Sequence, residues 1–303
     1  MIALGIESTA HTFGVGIVSK KKVLVNLREA YTTEKGGIIP IEAAEHHKKI
    51  AMKLVKEAIE LFKRENKGKI DLVVYSRGPG IGPCLHVGKN TAKELGESLE
   101  VPVIGINHCV AHLSVGSLVT STKDPVLLYA SGANTQVIAY EGGKYRVFGE
   151  TLDQGIGNFI DAFARHIGLG FPGGPKIEVL AKKSKNYVEL PYSVKGMDIS
   201  LSGMLTNLKN KYNSKDFSAE DLAYSLQETA FAMLVEVAER AMAHCGKKEL
   251  LIGGGVGCNS RLQEMCAIMC KERGAKFYAP PKGLLVDNGA MIAYQGILEH
   301  CAG

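Results

Sequence analysis

The sequence predicts an α/β protein made of two similar lobes, each with a mixed sheet of parallel and antiparallel strands. Strands alternate with helices along most of the 303 residues. A unit of strand, small-residue turn, strand, short turn and strand opens the chain and returns roughly 120 residues later, too far apart for a solenoid repeat. The composition, 46% hydrophobic and 22% charged, is that of a globular protein with a substantial core.

We assign the first lobe to residues 1–122. Its opening unit, residues 1–30, alternates apolar β-formers with Gly, Ser and Thr at the turns. A long amphipathic helix with Pro40 near its start follows, then the buried strand "IDLVVYSRGPG", which enters a glycine-rich loop. The stretch "VPVIGINHCVAHL" predicts a further strand that runs into a helix.

We assign the second lobe to residues 123–303. The opening unit returns in Pro125 to Thr151, and a helical insertion follows over about 159–243. A strand, a glycine-rich turn and a helix come next, and a loop leads into the last helix. Ligands of such folds bind beyond strand ends, so we expect the site in a cleft between the lobes.

Composition excludes several classes of protein. No apolar run reaches the roughly 18 residues of a membrane-spanning helix, and "MIALGIESTA" opens as a strand and not as a signal peptide. The seven cysteines are an odd number without C-x-x-C spacing, which favours reduced thiols over a disulfide scaffold or a zinc ribbon. We therefore predict a cytoplasmic protein. The net charge of +5 only slightly favours an anionic partner.

His108 and His112 are four residues apart at the start of a predicted helix, so both imidazoles lie on one face. Ordinary packing produces such pairs, and a metal site needs a third ligand from elsewhere. The candidate is Asp287 before the last helix, which a helix-capping role would also explain, and Tyr129 is a possible fourth ligand. The metalloprotease motif H-E-x-x-H is absent, because Cys109 follows the first histidine.

Two kinds of turn are candidates for binding an anion. The opening turns of the two lobes carry Ser8 and Thr9 in one case and 131–135 in the other, where small residues expose backbone N–H groups. The turn "GGGVGCN" lies between a strand and a helix. Binding of an anion or of the edge of a nucleotide explains such a turn, and tight packing of the strand against the helix explains it equally well. It matches neither the Rossmann fingerprint nor a P-loop.

Taken together, these motifs resemble the universal tRNA threonylcarbamoyladenosine transferase family, in its archaeal and eukaryotic branch, the catalytic subunit of KEOPS. The resemblance covers the whole chain and rests on the combination of "GIEST", "EAAEHH", "GPGIGPCLHVG", "NHCVAH", "YASGANTQV", "GLGFPGGPKIE", "GGGVGCN" and "DNGAMIAY". It implies the two-lobed actin, hexokinase and Hsp70 type of fold (ASKHA, ribonuclease H-like).

The resemblance also implies the ligands. One divalent iron or zinc ion per subunit is expected on His108, His112 and Asp287, with Tyr129 as an additional ligand or neighbour. ATP or threonylcarbamoyl-AMP is expected on a second set of residues, in which the two carboxylates bond ribose hydroxyls: Tyr129, Ala130, Ser131, Gly132, Ala133, Asp161, Gly174, Glu178 and Asn259. The chain departs from the family at Ala133, where a second glycine is usual, and at His86, where arginine is common.

The implied activity is transfer of threonylcarbamoyl from threonylcarbamoyl-AMP to the adenosine 3′ of the anticodon in tRNAs that decode ANN codons. No general base is evident, so we assign no catalytic residue beyond the metal site. The alternatives are an actin-like nucleotide-binding scaffold without chemistry and a small-molecule kinase; a kinase of this fold would use Mg²⁺ on carboxylates instead of paired imidazoles.

The resemblance names the partners as well. They are tRNA and the other KEOPS subunits: a small atypical protein kinase, a small dimerising subunit and a tRNA-binding subunit. The lysine-rich stretches "AKKSKN" and "LKNKYNSKD" either face tRNA or are ordinary solvated surface.

Overall fold

The structure is a computed structural model that describes residues 1–33, 37–65 and 68–302. Its strands are β1 (Ile2–Glu7), β2 (Thr12–Ser19), β3 (Val23–Ala30), β4 (Leu72–Gly78), β5 (Val103–Asn107), β6 (Val126–Ala130), β7 (Thr135–Glu141), β8 (Lys144–Glu150), β9 (Val194–Lys195), β10 (Asp198–Ile199), β11 (Glu249–Gly253) and β12 (Lys276–Tyr278). Its helices are α1 (Pro40–Glu65), α2 (Gly82–Leu99), α3 (His108–Val119), α4 (Ile156–His166), α5 (Gly174–Ala181), α6 (Ser202–Ser214), α7 (Ala219–His244), α8 (Ser260–Glu272), α9 (Lys282–Leu285) and α10 (Gly289–Ala302). A short 3₁₀ turn spans Gly255–Cys258.

The chain forms two compact units. The first comprises Met1–Thr32, Ile38–Ser121 and Pro281–Gly303, and the second comprises Thr33–Gly37 and Thr122–Pro280. Our assignment of 123–303 to the second lobe differs from this division, because Pro281–Gly303 packs with the first unit. The physical reason is α10, whose buried residues join the same core as strands β1, β2 and β4.

The first unit is built on a five-stranded sheet in the order β3-β2-β1-β4-β5. Strands β1, β2 and β3 pair antiparallel, and β4 and β5 extend the sheet in parallel with β1. Alternate residues of one strand enter different cores, since Leu4 and Ile6 pack with α1 and α2 whereas Ala3 packs with α3 and α10. The sheet is therefore covered by helices on both faces.

The long predicted helix is confirmed as α1. It begins at Pro40, a residue suited to the first helical turn, and carries Glu42 in that turn. Lys63 and Arg64 lie in the last turn, where they complement the helix dipole. Its buried residues recur every three or four positions, which gives one apolar face.

The second unit repeats the topology of the first. Its sheet has the order β12-β11-β6-β7-β8, in which β6, β7 and β8 pair antiparallel and β11 and β12 are added in parallel with β6. The duplicated opening unit and the mixed sheets predicted from the sequence are thus confirmed.

Helices α4 to α7 account for the predicted helical insertion. They begin at Ile156 and end at His244, and the irregular stretch between α5 and α6 contains the small hairpin of β9 and β10. Among the described residues, no helix is both long enough and apolar enough to cross a membrane.

Candidate metal centre and nucleotide site

The two histidines begin helix α3, as the sequence predicts. Asn107 caps this helix, because its side chain accepts hydrogen bonds from the backbone N–H groups of Cys109 (2.9 Å) and Val110 (3.2 Å). His108 is 3% exposed and His112 is 1% exposed. The two rings meet edge to face, with centroids 4.9 Å apart. The local fold therefore presents two buried imidazoles side by side.

Asp287 lies beside these histidines, although 175 residues separate it from His112 along the chain. The capping role that the sequence left open for Asp287 belongs to its neighbour Asn288, whose side chain accepts a hydrogen bond from the Met291 N–H at 3.0 Å. Asn288 also donates to the Val286 carbonyl at 2.7 Å. Asp287 is thereby left to face the histidine pair.

Close packing of α10 on the sheet fixes where Asp287 lies. A Cβ atom on Gly5 would be 2.3 Å from the backbone nitrogen of Ala293, and one on Gly16 would be 2.1 Å from that of Ala290. A Cβ on Gly289 would in turn be 2.2 Å from the nitrogen of Gly16. Glycine at these positions lets the backbones touch, which brings the start of α10 onto β1 and β2.

The three side chains form a set of ligand atoms suited to a metal ion. Asp287 Oδ1 is 3.4 Å from His108 Nε2 and 3.3 Å from His112 Nε2. One ligand atom from each residue lies within 4.8 Å of the other two. Ligand atoms about 2.1 Å from a tetrahedral ion are roughly 3.4 Å apart, which agrees with both measured separations. The residues thus fit a divalent metal.

The charge states of this group also suit a metal. Burial lowers the pKa of the His112 imidazole, and the hydrogen bond to Asp287 opposes this only in part. Burial would raise the pKa of Asp287, but the charges and hydrogen bonds of His108 and His112 outweigh it and hold that pKa well below its usual range. A neutral imidazole and an ionised carboxylate are the forms that bind metals.

Behind His108 lies a buried carboxylate that the sequence analysis did not identify. Glu7, at the end of β1, is fully buried, and its Oε2 lies 2.8 Å from His108 Nδ1. Its other oxygen, Oε1, accepts hydrogen bonds from the backbone N–H of Thr9 at 2.6 Å and from its hydroxyl at 2.5 Å. The sequence did contain one signal for Glu7, which is its place at a strand end just before a turn made of Ser and Thr.

The second unit contains the other predicted set. The turn after β6 closes with a hydrogen bond from the Ser131 N–H to the Asn134 carbonyl at 3.1 Å. The first turn of α4 holds this loop, because the N–H groups of Gly157 (3.0 Å) and Asn158 (2.9 Å) donate to the carbonyls of Ser131 and Gly132. Gly132 and the following Ala133 are exposed at its tip.

The departure at Ala133 causes no backbone strain. Within the described ranges, the only non-glycine residues with a positive φ are Glu100 and Lys215, so Ala133 lies in an ordinary conformation. The departure at His86 lies in the other unit, on the exposed side of α2.

Asp161 and Glu178 each receive hydrogen bonds from a neighbouring segment of the second unit. Asp161 Oδ1 accepts from the Gly173 N–H at 2.7 Å, immediately before Gly174 opens α5. Glu178 Oε1 accepts from the Ser260 hydroxyl at 2.6 Å. Partial burial raises the pKa of Glu178, but hydrogen bonds from Ser260 and Lys182 outweigh it and lower that pKa. Glu178 is thus an ionised group at the start of α8.

The glycine-rich turn leads from β11 into α8. Gly254 has φ +87°, and a Cβ there would be 2.4 Å from the Ala130 carbonyl oxygen, so glycine is required at this position. Asn259 caps α8 by accepting from the N–H groups of Arg261 (2.9 Å) and Leu262 (3.2 Å). Its amide nitrogen donates to the buried Gln227 at 2.5 Å, a contact that sequence patterns did not indicate.

Tyr129 is the last but one residue of the buried strand β6 and is 1% exposed. It belongs to the second unit, whereas the two histidines and Asp287 belong to the first. Its role as a fourth metal ligand therefore stays a prediction.

Comparison with known proteins identifies the family. The sequence model of TsaD, tRNA N6-adenosine threonylcarbamoyltransferase, matches residues 22–294. A tRNA N6-adenosine threonylcarbamoyltransferase of Thermococcus kodakarensis is 56% identical over 303 residues, covering 100% of this chain and 93% of the relative. A probable bifunctional tRNA threonylcarbamoyladenosine biosynthesis protein of Methanosarcina mazei is 53% identical over 302 residues, covering 99% of this chain and 55% of that protein.

Solved structures share the fold at low sequence identity. HypF of T. kodakarensis superposes with a TM-score of 0.69 at 16% identity, covering 99% of this chain and 48% of HypF. Component A of the (R)-2-hydroxyglutaryl-CoA dehydratase of Acidaminococcus fermentans has a TM-score of 0.60 at 14% identity, covering 98% of this chain and 99% of that one. The predicted ASKHA fold class is confirmed. With the family match over most of its length, the chain belongs to the TsaD family of tRNA N6-adenosine threonylcarbamoyltransferases.

Proposed function

We propose that this chain transfers the threonylcarbamoyl group of threonylcarbamoyl-AMP to the adenosine 3′ of the anticodon in tRNAs that decode ANN codons. The observation that carries the proposal is family membership combined with an intact cluster of ligand atoms from His108, His112 and Asp287. Relatives more than 50% identical over the whole chain carry the name of this activity.

The reaction is an acyl transfer. The exocyclic amine of the adenosine attacks the carbonyl carbon of threonylcarbamoyl-AMP, the bond from that carbon to the phosphate oxygen breaks, and AMP leaves with the electron pair. The amine loses one proton. Because the carbonyl is activated and AMP is a good leaving group, the reaction needs little general-base catalysis. This agrees with our assigning no general base. The target base must leave the anticodon stack to react.

The metal would be held by His108, His112 and Asp287, with Tyr129 as the proposed fourth ligand. Two imidazoles and a carboxylate suit both zinc and iron(II), and we propose one such ion per chain. When bound, the ion would supply a template and Lewis acid for polar groups of the threonylcarbamoyl moiety. The three ligand atoms within 4.8 Å of one another support this assignment.

The nucleotide is assigned to the second unit. Backbone N–H groups of the 131–134 turn and of the glycine-rich turn are suited to phosphate, and the start of α8 adds its helix dipole. Asp161 and Glu178 would accept hydrogen bonds from ribose hydroxyls. Tyr129, Ala130, Gly174 and Asn259 complete the proposed nucleotide-binding set. ATP and threonylcarbamoyl-AMP share the adenosine and phosphate that such a site recognises.

We further propose that the chain acts in the cytoplasm within KEOPS, beside a small atypical protein kinase, a small dimerising subunit and a tRNA-binding subunit. tRNA is the substrate named for the relatives. The odd number of cysteines, without C-x-x-C spacing, favours reduced thiols, as expected in a reducing compartment.

The test is incorporation of labelled threonine into unmodified tRNA, with threonylcarbamoyl-AMP and the KEOPS partners supplied. The native chain is compared with a His108→Ala, His112→Ala double variant, and His300→Ala, an exposed histidine of α10, serves as the control. We expect the double variant to lose incorporation by about 100-fold or more, since even indirect damage to a metal site commonly costs 10- to 100-fold.

Removing the metal gives a second comparison. We expect chelation to abolish incorporation by the native chain, and re-addition of Zn²⁺ or Fe²⁺ separately to identify the active ion. Equal incorporation by the native chain and the double variant would exclude a metal-dependent transfer. No incorporation by the native chain, with active partners verified, would favour a scaffold without chemistry.

A further inference from the structure

We infer that Glu7 is a positioning residue that holds His108 in the tautomer able to bind a metal through Nε2. The inference rests on the metal site of the proposed function and adds to it a residue outside the ligand set. Glu7 contacts the far side of the His108 ring, because its Oε2 is 2.8 Å from Nδ1 while Nε2 lies 3.4 Å from Asp287 Oδ1. It therefore acts through His108 and is not itself a ligand.

Carboxylate oxygens accept hydrogen bonds, so we assign the proton of this contact to His108 Nδ1, which donates it to Glu7 Oε2 at 2.8 Å. In the metal-binding form of the ring the lone pair then lies on Nε2, 3.4 Å from Asp287 Oδ1. A cation bound there would be held by both His108 Nε2 and Asp287 Oδ1, which are 3.4 Å apart. The Glu7 contact thus prepares the site for a cation.

The hydrogen bonds of Glu7 fix which of its oxygens faces His108. Oε1 accepts from both the N–H and the hydroxyl of Thr9, at 2.6 and 2.5 Å, and Oε2 faces the imidazole. With Glu7 fully buried, no water competes for these contacts. Histidine ligands of metals commonly donate their second ring nitrogen to a carboxylate in this manner, which raises their basicity and fixes the ring.

The Glu7→Gln substitution tests this because it changes one acceptor atom into a donor at nearly constant shape. If the amide nitrogen replaced Oε1, it would face the two donors of Thr9. The favourable orientation of the new amide group puts its nitrogen opposite His108. There the nitrogen donates to Nδ1, and the ring proton moves to Nε2. A protonated Nε2 cannot bind a metal. We therefore expect a 10- to 100-fold loss of zinc affinity.

The experiment is a competition titration of the metal-free full chain with zinc and a chromophoric chelator, for native protein, Glu7→Gln and the control Glu42→Gln. Glu42 is a matched carboxylate of the same unit, which accepts a hydrogen bond from the Tyr31 hydroxyl at 2.5 Å. We expect Glu42→Gln to bind zinc like the native chain. Thermal unfolding of each metal-free variant measures any purely structural effect of the substitution.

A second readout follows the His108 ring itself. In the zinc-loaded native chain labelled with ¹⁵N-histidine, long-range ¹H–¹⁵N spectra should give a protonated Nδ1 and a metal-bound Nε2 for the signal that His108→Asn removes. Zinc on Nδ1, or equal zinc affinity of native protein and Glu7→Gln, would overturn the role of Glu7 alone. A native chain that binds no zinc would overturn the metal site and this inference with it.

Discussion

At the scale of single residues, burial decides which groups are ionised and which stay neutral. His47 on α1 is fully buried, lies against the Phe13 ring and has its Nε2 2.9 Å from the Ala10 carbonyl oxygen. Burial lowers its pKa from 6.5 to about 4, and the bond to Ala10 opposes this only in part. Among the described residues no carboxylate forms an ion pair with His47, which is thus an acid-sensitive point in the first unit.

This gives a prediction for the pH dependence of stability. The folded-state pKa of His47 is depressed, so its contribution is fully present above pH 6.5 and is lost as the pH falls towards about 4. At 1.36 kcal/mol per pKa unit, the loss in free energy of unfolding is about 3 kcal/mol. The variant His47→Gln can still donate to Ala10 but gains no proton. It should reduce the dependence of the free energy of unfolding on pH, measured by urea unfolding across this window. If the free energy of unfolding depended on pH equally in the native protein and in His47→Gln, His47 would not be the acid-sensitive group.

At the scale of elements, most strands and helices follow from the sequence pattern, but the location of α10 does not. Alternating apolar residues and small-residue turns predicted β1–β3 and β6–β8, and three- and four-residue spacing predicted α1. The contact of α10 with β1 and β2 depends on Gly5, Gly16 and Gly289, whose lack of a side chain permits the contact. Glycine in a strand pattern indicates that another segment packs closely there, but it does not identify the segment. The return of the C-terminal segment to the first unit was therefore not predictable.

The same limit applies to the site. The spacing of His108 and His112 indicated a shared face, and the carboxylate before the last helix made Asp287 the candidate third ligand, which the resemblance then also implied. Glu7 was missed because its partner, His108, is 101 residues away. Gln227 was missed because a helical pattern does not show which buried amide accepts a hydrogen bond from Asn259. Long-range hydrogen bonds between buried polar groups leave no periodic signal in a sequence.

The glycine contact predicts a packing defect. Gly16→Ala places a Cβ atom 2.1 Å from the backbone nitrogen of Ala290, which has to shift. We expect the free energy of unfolding to fall by about 3 kcal/mol, and zinc affinity to fall as well, since Asp287 moves with α10. The control is Gly82→Ala at the start of α2, where a Cβ would meet nothing within 4 Å and the change should stay within about 1 kcal/mol. A Gly16→Ala protein as stable as Gly82→Ala would contradict this packing.

At the scale of the whole molecule, one topology supports the two ligand sites that we propose. In both units the central strand of the sheet, β1 or β6, is followed by a turn rich in small residues. In the first unit, Glu7 at the end of β1 and Thr9 in the turn lie beside the His108 imidazole, whereas the turn of the second unit presents Ser131 and Gly132 to the start of α4. The repeated sheets give each turn the same support, and the side chains around each turn are the basis for proposing a metal in one unit and a nucleotide in the other.

This division predicts that the two ligands stabilise different parts of the chain. Zinc should slow hydrogen exchange in residues 2–9, 107–119 and 285–297, because a ligand at about 100 times its Kd adds roughly 2.7 kcal/mol to the unit that binds it. ATP should instead protect residues 130–135 and 253–262, a set without Tyr129, which we propose as a ligand of the metal as well. Peptide-resolved exchange of the metal-free chain with each ligand alone measures both effects. Glu7→Gln should reduce the zinc response and leave the ATP response unchanged, since Glu7 lies in the first unit only. Zinc protection confined to the second unit would rule out the histidine pair as the metal centre, and ATP protection confined to the first would rule out the nucleotide assignment.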